Sequence, residues 1–233
     1  AEINTKITLQ GMGGMVKLEA VGTIPNEKAI LVINTDVTID HFEFADAYVS
    51  SQNGAGIRYQ GGNLTITNSY FHENQNGILS AASPTGTITI RNSEFSLNGH
   101  RDGNTHNLYI GDIAKLIVDS SYFHDAIVGH ELKSRAAETI ITNSRFFDNT
   151  SNASYNIDLP NGGTVSVTGS VIQQGVNSEN SNMITFGVEG SVRANSSLTL
   201  ANNTIINDVI NGNIILNTGD GSVSMTGTQL YGA

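Results

Sequence analysis

The sequence predicts an all-β solenoid of stacked three-strand coils, on three observations. Two interleaved series of short runs recur along the chain with a period of roughly 20 to 33 residues, the range of repeat architectures. After the second series comes a small polar pair and then an apolar pair, as in Asn68-Ser69-Tyr70-Phe71. Apolar and polar residues alternate with period two, and no stretch sustains a helical period.

The elements follow in order within a coil. The first strand is read from Ala29-Ile30-Leu31-Val32, Gly56-Ile57-Arg58-Tyr59 and Gly77-Ile78-Leu79-Ser80. That series continues through Thr105-His106-Asn107-Leu108-Tyr109-Ile110, Gly129-His130-Glu131-Leu132-Lys133-Ser134-Arg135 and Ser154-Tyr155-Asn156-Ile157-Asp158-Leu159. It ends with Met183-Ile184-Thr185-Phe186 and Asn213-Ile214-Ile215-Leu216. The second strand is read from Val37-Thr38-Ile39, Leu64-Thr65-Ile66, Ile88-Thr89-Ile90 and Leu116-Ile117-Val118, then from Thr139 to Ile141, Val165 to Val167, Leu198 to Leu200 and Val223 to Met225. A tight turn follows at Asn68-Ser69, Asn92-Ser93, Ser120-Ser121, Asn143-Ser144 and Asn202-Asn203. Asn tolerates left-handed backbone, and stacked Asn side chains are expected to hydrogen-bond from coil to coil. The third strand opens on pairs such as Tyr70-Phe71, Glu94-Phe95, Tyr122-Phe123 and Arg145-Phe146.

Ile7 to Leu9 and Met15 to Leu18 read as an incomplete first coil. Polar loops run from Gly99 to Asn104, from Asp148 to Ala153, from Gln173 to Asn182, and from Gly187 to Asn195 with Glu189 and Arg193. No linker divides the chain, so residues 1–233 read as one domain. No capping helix is expected, and the strand edges left at the ends would be covered by a neighbouring domain of a longer chain or by a second subunit.

This layout resembles the right-handed parallel β-helix of the pectate-lyase-like superfamily, over nearly the whole chain. The resemblance implies a single-stranded right-handed solenoid of about eight coils. The segments Asn53-Gly54-Ala55-Gly56-Ile57-Arg58, His106-Asn107-Leu108-Tyr109, Lys133-Ser134-Arg135-Ala136 and Asp158-Leu159-Pro160-Asn161-Gly162-Gly163 also resemble bacterial right-handed β-helix repeat proteins, which carry no assigned reaction to transfer.

Composition narrows the partners. The formal net charge is −10 and the pI about 4.8, which argues against nucleic acid or an anionic membrane. A local cluster of Lys, Arg and His can still hold an acidic glycan, and an acidic surface suits a secreted or cell-surface bacterial protein. The absence of cysteine excludes a disulfide framework. No apolar run approaches membrane-spanning length. The opening Ala1-Glu2-Ile3-Asn4 is not a signal peptide; removal of one, or excision from a longer chain, would account for it.

Strand side chains alternate between faces. With Leu108, Leu132, Ile157 and Ile184 inward, two outward rows are expected: Asn107, Glu131, Asn156, Met183 and Tyr109, Lys133, Asp158, Thr185. Strands stack about 4.8 Å apart, so Tyr109, Lys133 and Asp158 should be neighbours, with Arg135 just beyond. His106 and His130 sit at the leading edge, pointing in or out.

In the β-helical lyases and mannuronan C-5 epimerases that the chain resembles, substrate lies across this first-strand face. The resemblance implies removal of the C5 proton of a uronate. Lys133 and Arg135 would neutralise the C6 carboxylate, worth several kcal/mol where water is excluded. Tyr109, or one of His106 and His130, would act as base or acid, and Asp158 completes the catalytic set. Asn107, Glu131, Asn156 and Tyr155 would bind sugar hydroxyls. The plainer reading is a Lys133–Asp158 surface ion pair, worth about 0–1 kcal/mol. The Asp-Pro-His motif of the epimerases is absent. Asn34-Thr35-Asp36 stands alone, without the Asp pair of polygalacturonase-type hydrolases, and Ile39-Asp40-His41 lacks the Arg-rich companion of a pectate-lyase signature. A non-catalytic glycan-binding module and a glycoside hydrolase using Asp158 and Glu131 remain as rivals. No cofactor is expected; Asp102, Asp148 and Asp158 are candidate calcium ligands without the spacing of a calcium loop. His72 and His124, after the aromatic of the third strand, are minor candidates.

Overall fold

Short β-branched runs cannot bury an apolar face alone, and here each finds its partner one coil away. The computed structural model describes residues 1–100 and 103–232 as a right-handed parallel β-helix with three nine-stranded parallel sheets. The first sheet stacks Glu2–Ile3, Ala29–Ile33, Ala55–Tyr59, Asn76–Ser80, Leu108–Ile110, Leu132–Ser134, Ile157–Leu159, Asn182–Phe186 and Asn213–Asn217. The second runs from Ile7–Gln10 to Ser222–Thr226, and the third from Val16–Glu19 to Gln229–Gly232. There are therefore nine coils rather than about eight. The first coil is complete, because Glu2 and Ile3 pair with Val32 and Ile33.

The core is a set of columns. Leu31, Ile57, Ile78, Leu108, Leu132, Ile157 and Ile184 stack in register down the first sheet. In the third sheet, Phe44, Phe71, Phe95, Phe123 and Phe146 stack face to face with centroids 4.6–5.1 Å apart. Such parallel stacks bury large apolar area in a narrow interior.

The turn between the second and third strands is left-handed in coil after coil. His41, Asn68, Asn92, Ser120, Asn143 and Asn202 hold φ between 47° and 59°, and Gly169 and Gly227 take the same place. One coil-to-coil ladder runs through the residue after the left-handed one. Backbone N–H of Ser69, Ser93, Ser121 and Ser144 donates to Oγ of Ser93, Ser121, Ser144 and Ser170 at 3.1–3.2 Å. The Asn side chains also bond from coil to coil: Asn68 and Asn143 donate to Asp40 and Asp119 of the preceding coils, and Asn203 Oδ1 accepts the Ser170 N–H that continues the serine ladder.

Candidate functional site

The first-sheet register places Tyr109 beside Lys133, Lys133 beside Asp158, and Asp158 beside Thr185. The expected stacking is present, but it is not an open surface row. Lys133 is only 6 % exposed and Asp158 is fully buried. Lys133 Nζ lies 2.7 Å from Asp158 Oδ2 and 2.8 Å from Glu189 Oε1. The hydroxyl of Thr185 donates to Asp158 Oδ1. Arg135 is half-buried and spreads its guanidinium over three partners. Its Nε donates to the Tyr109 hydroxyl at 3.0 Å, one terminal nitrogen to Asn161 Oδ1 at 2.6 Å and the other to Glu189 Oε2 at 2.5 Å. The ion pair expected at the surface is thus an interior one covered by a loop.

That loop is the connection from first to second strand in the eighth coil. The same connection is residues 111–112, 135–137 and 160–163 in the three preceding coils, but 187–196 here. The longer loop folds back over the sheet. Glu189 N–H donates to Pro160 O, Arg193 N–H to Asn161 O, and the Asn161 amide to the carbonyls of Glu189 and Ser191. Arg193 reaches Asp112 at 2.5 Å and the Arg135 carbonyl at 3.2 Å. A hollow of about 500 Å³ lies between Asp112, Arg135, Asn161, Ser191, Val192 and Arg193.

Burial opposes the charge on Lys133 and Arg135, and their partners outweigh it. Lys133 is held above its ordinary range by Asp158 and Glu189, and Arg135 by Glu189 and Tyr109. Burial likewise opposes ionisation of Glu189, but its two cations hold it below the ordinary carboxylate range.

The two histidines lie behind this cluster as a ring stack. His106 and His130 are 4.5 Å apart, His130 and Tyr155 4.9 Å, and His106 and Tyr109 5.7 Å. Both histidines are buried, and burial lowers His106 well below its usual value and His130 to about 4. His130 N–H donates to His106 Nδ1 at 3.0 Å, and Tyr155 N–H to His130 Nδ1 at 3.2 Å. Each neutral ring therefore accepts at Nδ1 and carries its proton on Nε2. His130 Nε2 faces Asp158 Oδ2 at 3.4 Å. The basic lone pair of each ring is thus taken up by a backbone N–H. Tyr155 is half-buried at the end of the stack.

Asn107, Glu131 and Asn156, expected to face a sugar, are buried, as is Met183. The strands proper begin at Leu108, Leu132 and Ile157, so the preceding residue sits at a corner where alternation does not apply. Its side chain turns inward and satisfies groups the corner would orphan. Asn107 Oδ1 accepts from Asn98 N–H, Glu131 Oε1 from Ala126 N–H, and the Asn156 amide donates to Asp148 Oδ1 and Gln173 O. The Asn107 amide also donates to Glu131 Oε2 at 2.5 Å. Burial, then the nearby Asp148, raises Glu131 well above its ordinary value, and burial raises Asp148 to about 7. The two carboxylates of the hydrolase reading are both buried, Glu131 in the corner and Asp158 against Lys133.

Of the calcium candidates, Asp148 is in the corner, Asp158 is paired with Lys133, and Asp102 lies outside the described residues. Among the described residues no three His, Asp or Glu side chains converge as a metal site. His72 and His124 lie on the third sheet, away from this cluster, each bonded to two carboxylates: Glu43 and Glu73, and Glu94 and Asp125. Glu189, Asn161, Arg193 and Asp112 had no role in the sequence-based reading. The signal for them was the length of the loop from Gly187. Compared with protein-family models, with curated proteins and with solved structures, the chain matches none, so the fold and the geometry of this cluster alone carry a functional reading.

Proposed function

We propose that the first-sheet face around Tyr109 binds an acidic extracellular polysaccharide and acts on its uronate residues by lyase- or C5-epimerase-type proton transfer. One observation carries this reading: a carboxylate already fits the cation fork. Glu189 places one oxygen 2.8 Å from Lys133 Nζ and the other 2.5 Å from an Arg135 nitrogen. The C6 carboxylate of a uronate is the same group with the same charge, and it would take this seat when Glu189 leaves it. Gly187 and Gly190 flank Glu189 with φ of 70° and 65°, so the loop can re-form without side-chain strain at those two positions.

With the carboxylate neutralised, C5 becomes acidic, and a proton acceptor is needed within hydrogen-bond reach. Tyr109 is partly exposed, with the Arg135 guanidinium on its oxygen. In the lyase case Tyr109, acting from its phenolate form, takes the C5 proton, the C5–H pair forms the C4=C5 double bond, C4–O4 breaks with its pair on O4, and the phenol so formed gives the proton to O4. In the epimerase case Tyr109 keeps the abstracted proton and solvent water protonates C5 from the opposite face. Lys133 and Arg135 stabilise the charge that builds on the carboxylate.

A non-catalytic glycan-binding surface is the second reading, favoured by the burial of Lys133 and Asp158. Incubation with alginate, pectate and hyaluronan separates the two. Ultraviolet-absorbing unsaturated ends mean lyase, and inverted C5 configuration without shortening means epimerase. Binding without product means a module. No binding to any of the three removes the proposal, and full turnover by a folded Lys133→Ala variant removes the site.

A further inference from the structure

The outward row of the first sheet continues past Tyr109 towards the N-terminal coils. In register it reads Val32, Arg58, Leu79, Tyr109, Lys133 and Asp158. Arg58 differs from the other cations near this face. Lys133, Arg135 and Arg193 each hold a carboxylate at 2.5–2.8 Å. Arg58 has no ion pair and no hydrogen bond among the described residues, and its Nε is buried without an acceptor. It is half-buried, between the covered side chains of Val32 and Leu79, which form a small apolar cluster against which Tyr109 packs. Burial pushes its guanidinium below the ordinary value, with Tyr109 as the neighbour acting against that.

An unpaired, half-desolvated guanidinium is unfavourable in the free protein, because water is partly lost and nothing replaces it. An arriving anion would form a charge-assisted bond of the stronger kind there. We propose that Arg58 is a second anion subsite of this face, taking one carboxylate of an acidic oligosaccharide whose other acidic unit lies over Tyr109 and the Lys133–Arg135 fork. This rests on the function proposed above and adds a second anchor and the direction in which the ligand lies. Arg58 and Lys133 are three strand spacings apart, about 14 Å along the solenoid axis. One sugar ring cannot span that, so the ligand is an extended polyanion lying along the axis, across the strands, rather than a single uronate or a neutral glycan. Leu79 and the ring of Tyr109 lie between the two anchors.

Calorimetric titration of the wild type and Arg58→Gln with hexasaccharides of galacturonate, mannuronate and hyaluronan, and with the monomeric uronic acids, tests this. The hexasaccharide bound by the wild type should bind Arg58→Gln about tenfold or more weakly, with a shallower salt dependence. Monomer binding, confined to the fork, should not change. Arg58→Lys, which keeps the charge but loses the planar fork, should fall between. The ligand-free Arg58→Gln protein should melt no lower than the wild type, since no internal partner is lost. Equal hexasaccharide affinity in wild type and Arg58→Gln overturns the subsite and leaves the proposed function standing. A wild type that binds none of these sugars removes both. A lower melting point of free Arg58→Gln, matched by Arg58→Lys, makes the residue structural and overturns the subsite.

Discussion

Lys133 is where the energetics of the cluster concentrate. Its partner Asp158 is fully buried, and the other groups near that carboxylate are the Thr185 hydroxyl and His130. Removing one member of a buried ion pair strands the other, at about 3–5 kcal/mol. Lys133→Met should therefore lower unfolding stability by about that much in urea titrations. Lys133→Met combined with Asp158→Asn should recover most of the loss, because the stranded charge is gone. Glu189 is different: its side chain is 46 % exposed, so its contribution to stability is closer to that of a surface pair, about 0–1 kcal/mol. A carboxylate that clamps two cations for so little stability is one that another carboxylate can replace.

At the scale of an element, the corner leading into the first strand sets the pH behaviour. Asp148 titrates near 7 in the folded state against an ordinary 3.8, so the folded state retains a proton that the unfolded chain has released. Its contribution is fully present below about 3.8 and is lost as pH rises towards 7. His130 works the other way. With its folded value lowered to about 4 from 6.5, stability rises with pH between those values. Between about pH 4 and 6.5 the two oppose each other, with Glu131 acting in the sense of Asp148 and His106 in the sense of His130. Asp148→Asn removes the opposing carboxyl, so its stability should rise more steeply with pH across that window than the wild type's, read from urea midpoints. This corner also shows where alternation stops being a guide. Leu108, Leu132 and Ile157 were legible as inward because they sit within strands. Asn107, Glu131 and Asn156 precede the strands, and polar groups of the previous turn decide where they point: backbone N–H groups for Asn107 and Glu131, and Asp148 with the Gln173 carbonyl for Asn156.

For the whole molecule, a solenoid is close to one-dimensional, and each coil is stabilised by the coils above and below. The end coils have one neighbour each, and Ile7, Met15, Val16, Val223, Met225, Leu230 and Tyr231 are exposed there. Amide exchange should be fastest in Ile7–Glu19 and Ser222–Gly232 and slowest from Leu108 to Leu159, which peptide-level mass spectrometry resolves. The architecture was readable from the chain because every coil repeats the same three runs, and the meeting of Tyr109, Lys133 and Asp158 follows from that repeat. Glu189 and Arg193 were not, because they act through a loop that departs from the repeat and crosses to other coils. Arg58 stood in a run that was read as a strand, but its lack of a partner is a property only of the assembled face.

The back-folded loop also bears on how this chain can change in length. Arg193, in the eighth coil, holds Asp112 in the fifth, and Glu189 holds Lys133 and Arg135 in the sixth. Duplication or loss of a whole rung elsewhere in the stack would leave every column in register. Between the fifth and eighth rungs it would pull the fastened groups apart by about 4.8 Å for each rung gained. The loop is therefore a gauge, and this stretch of the molecule keeps a fixed number of rungs while its flanks are free to grow or shrink.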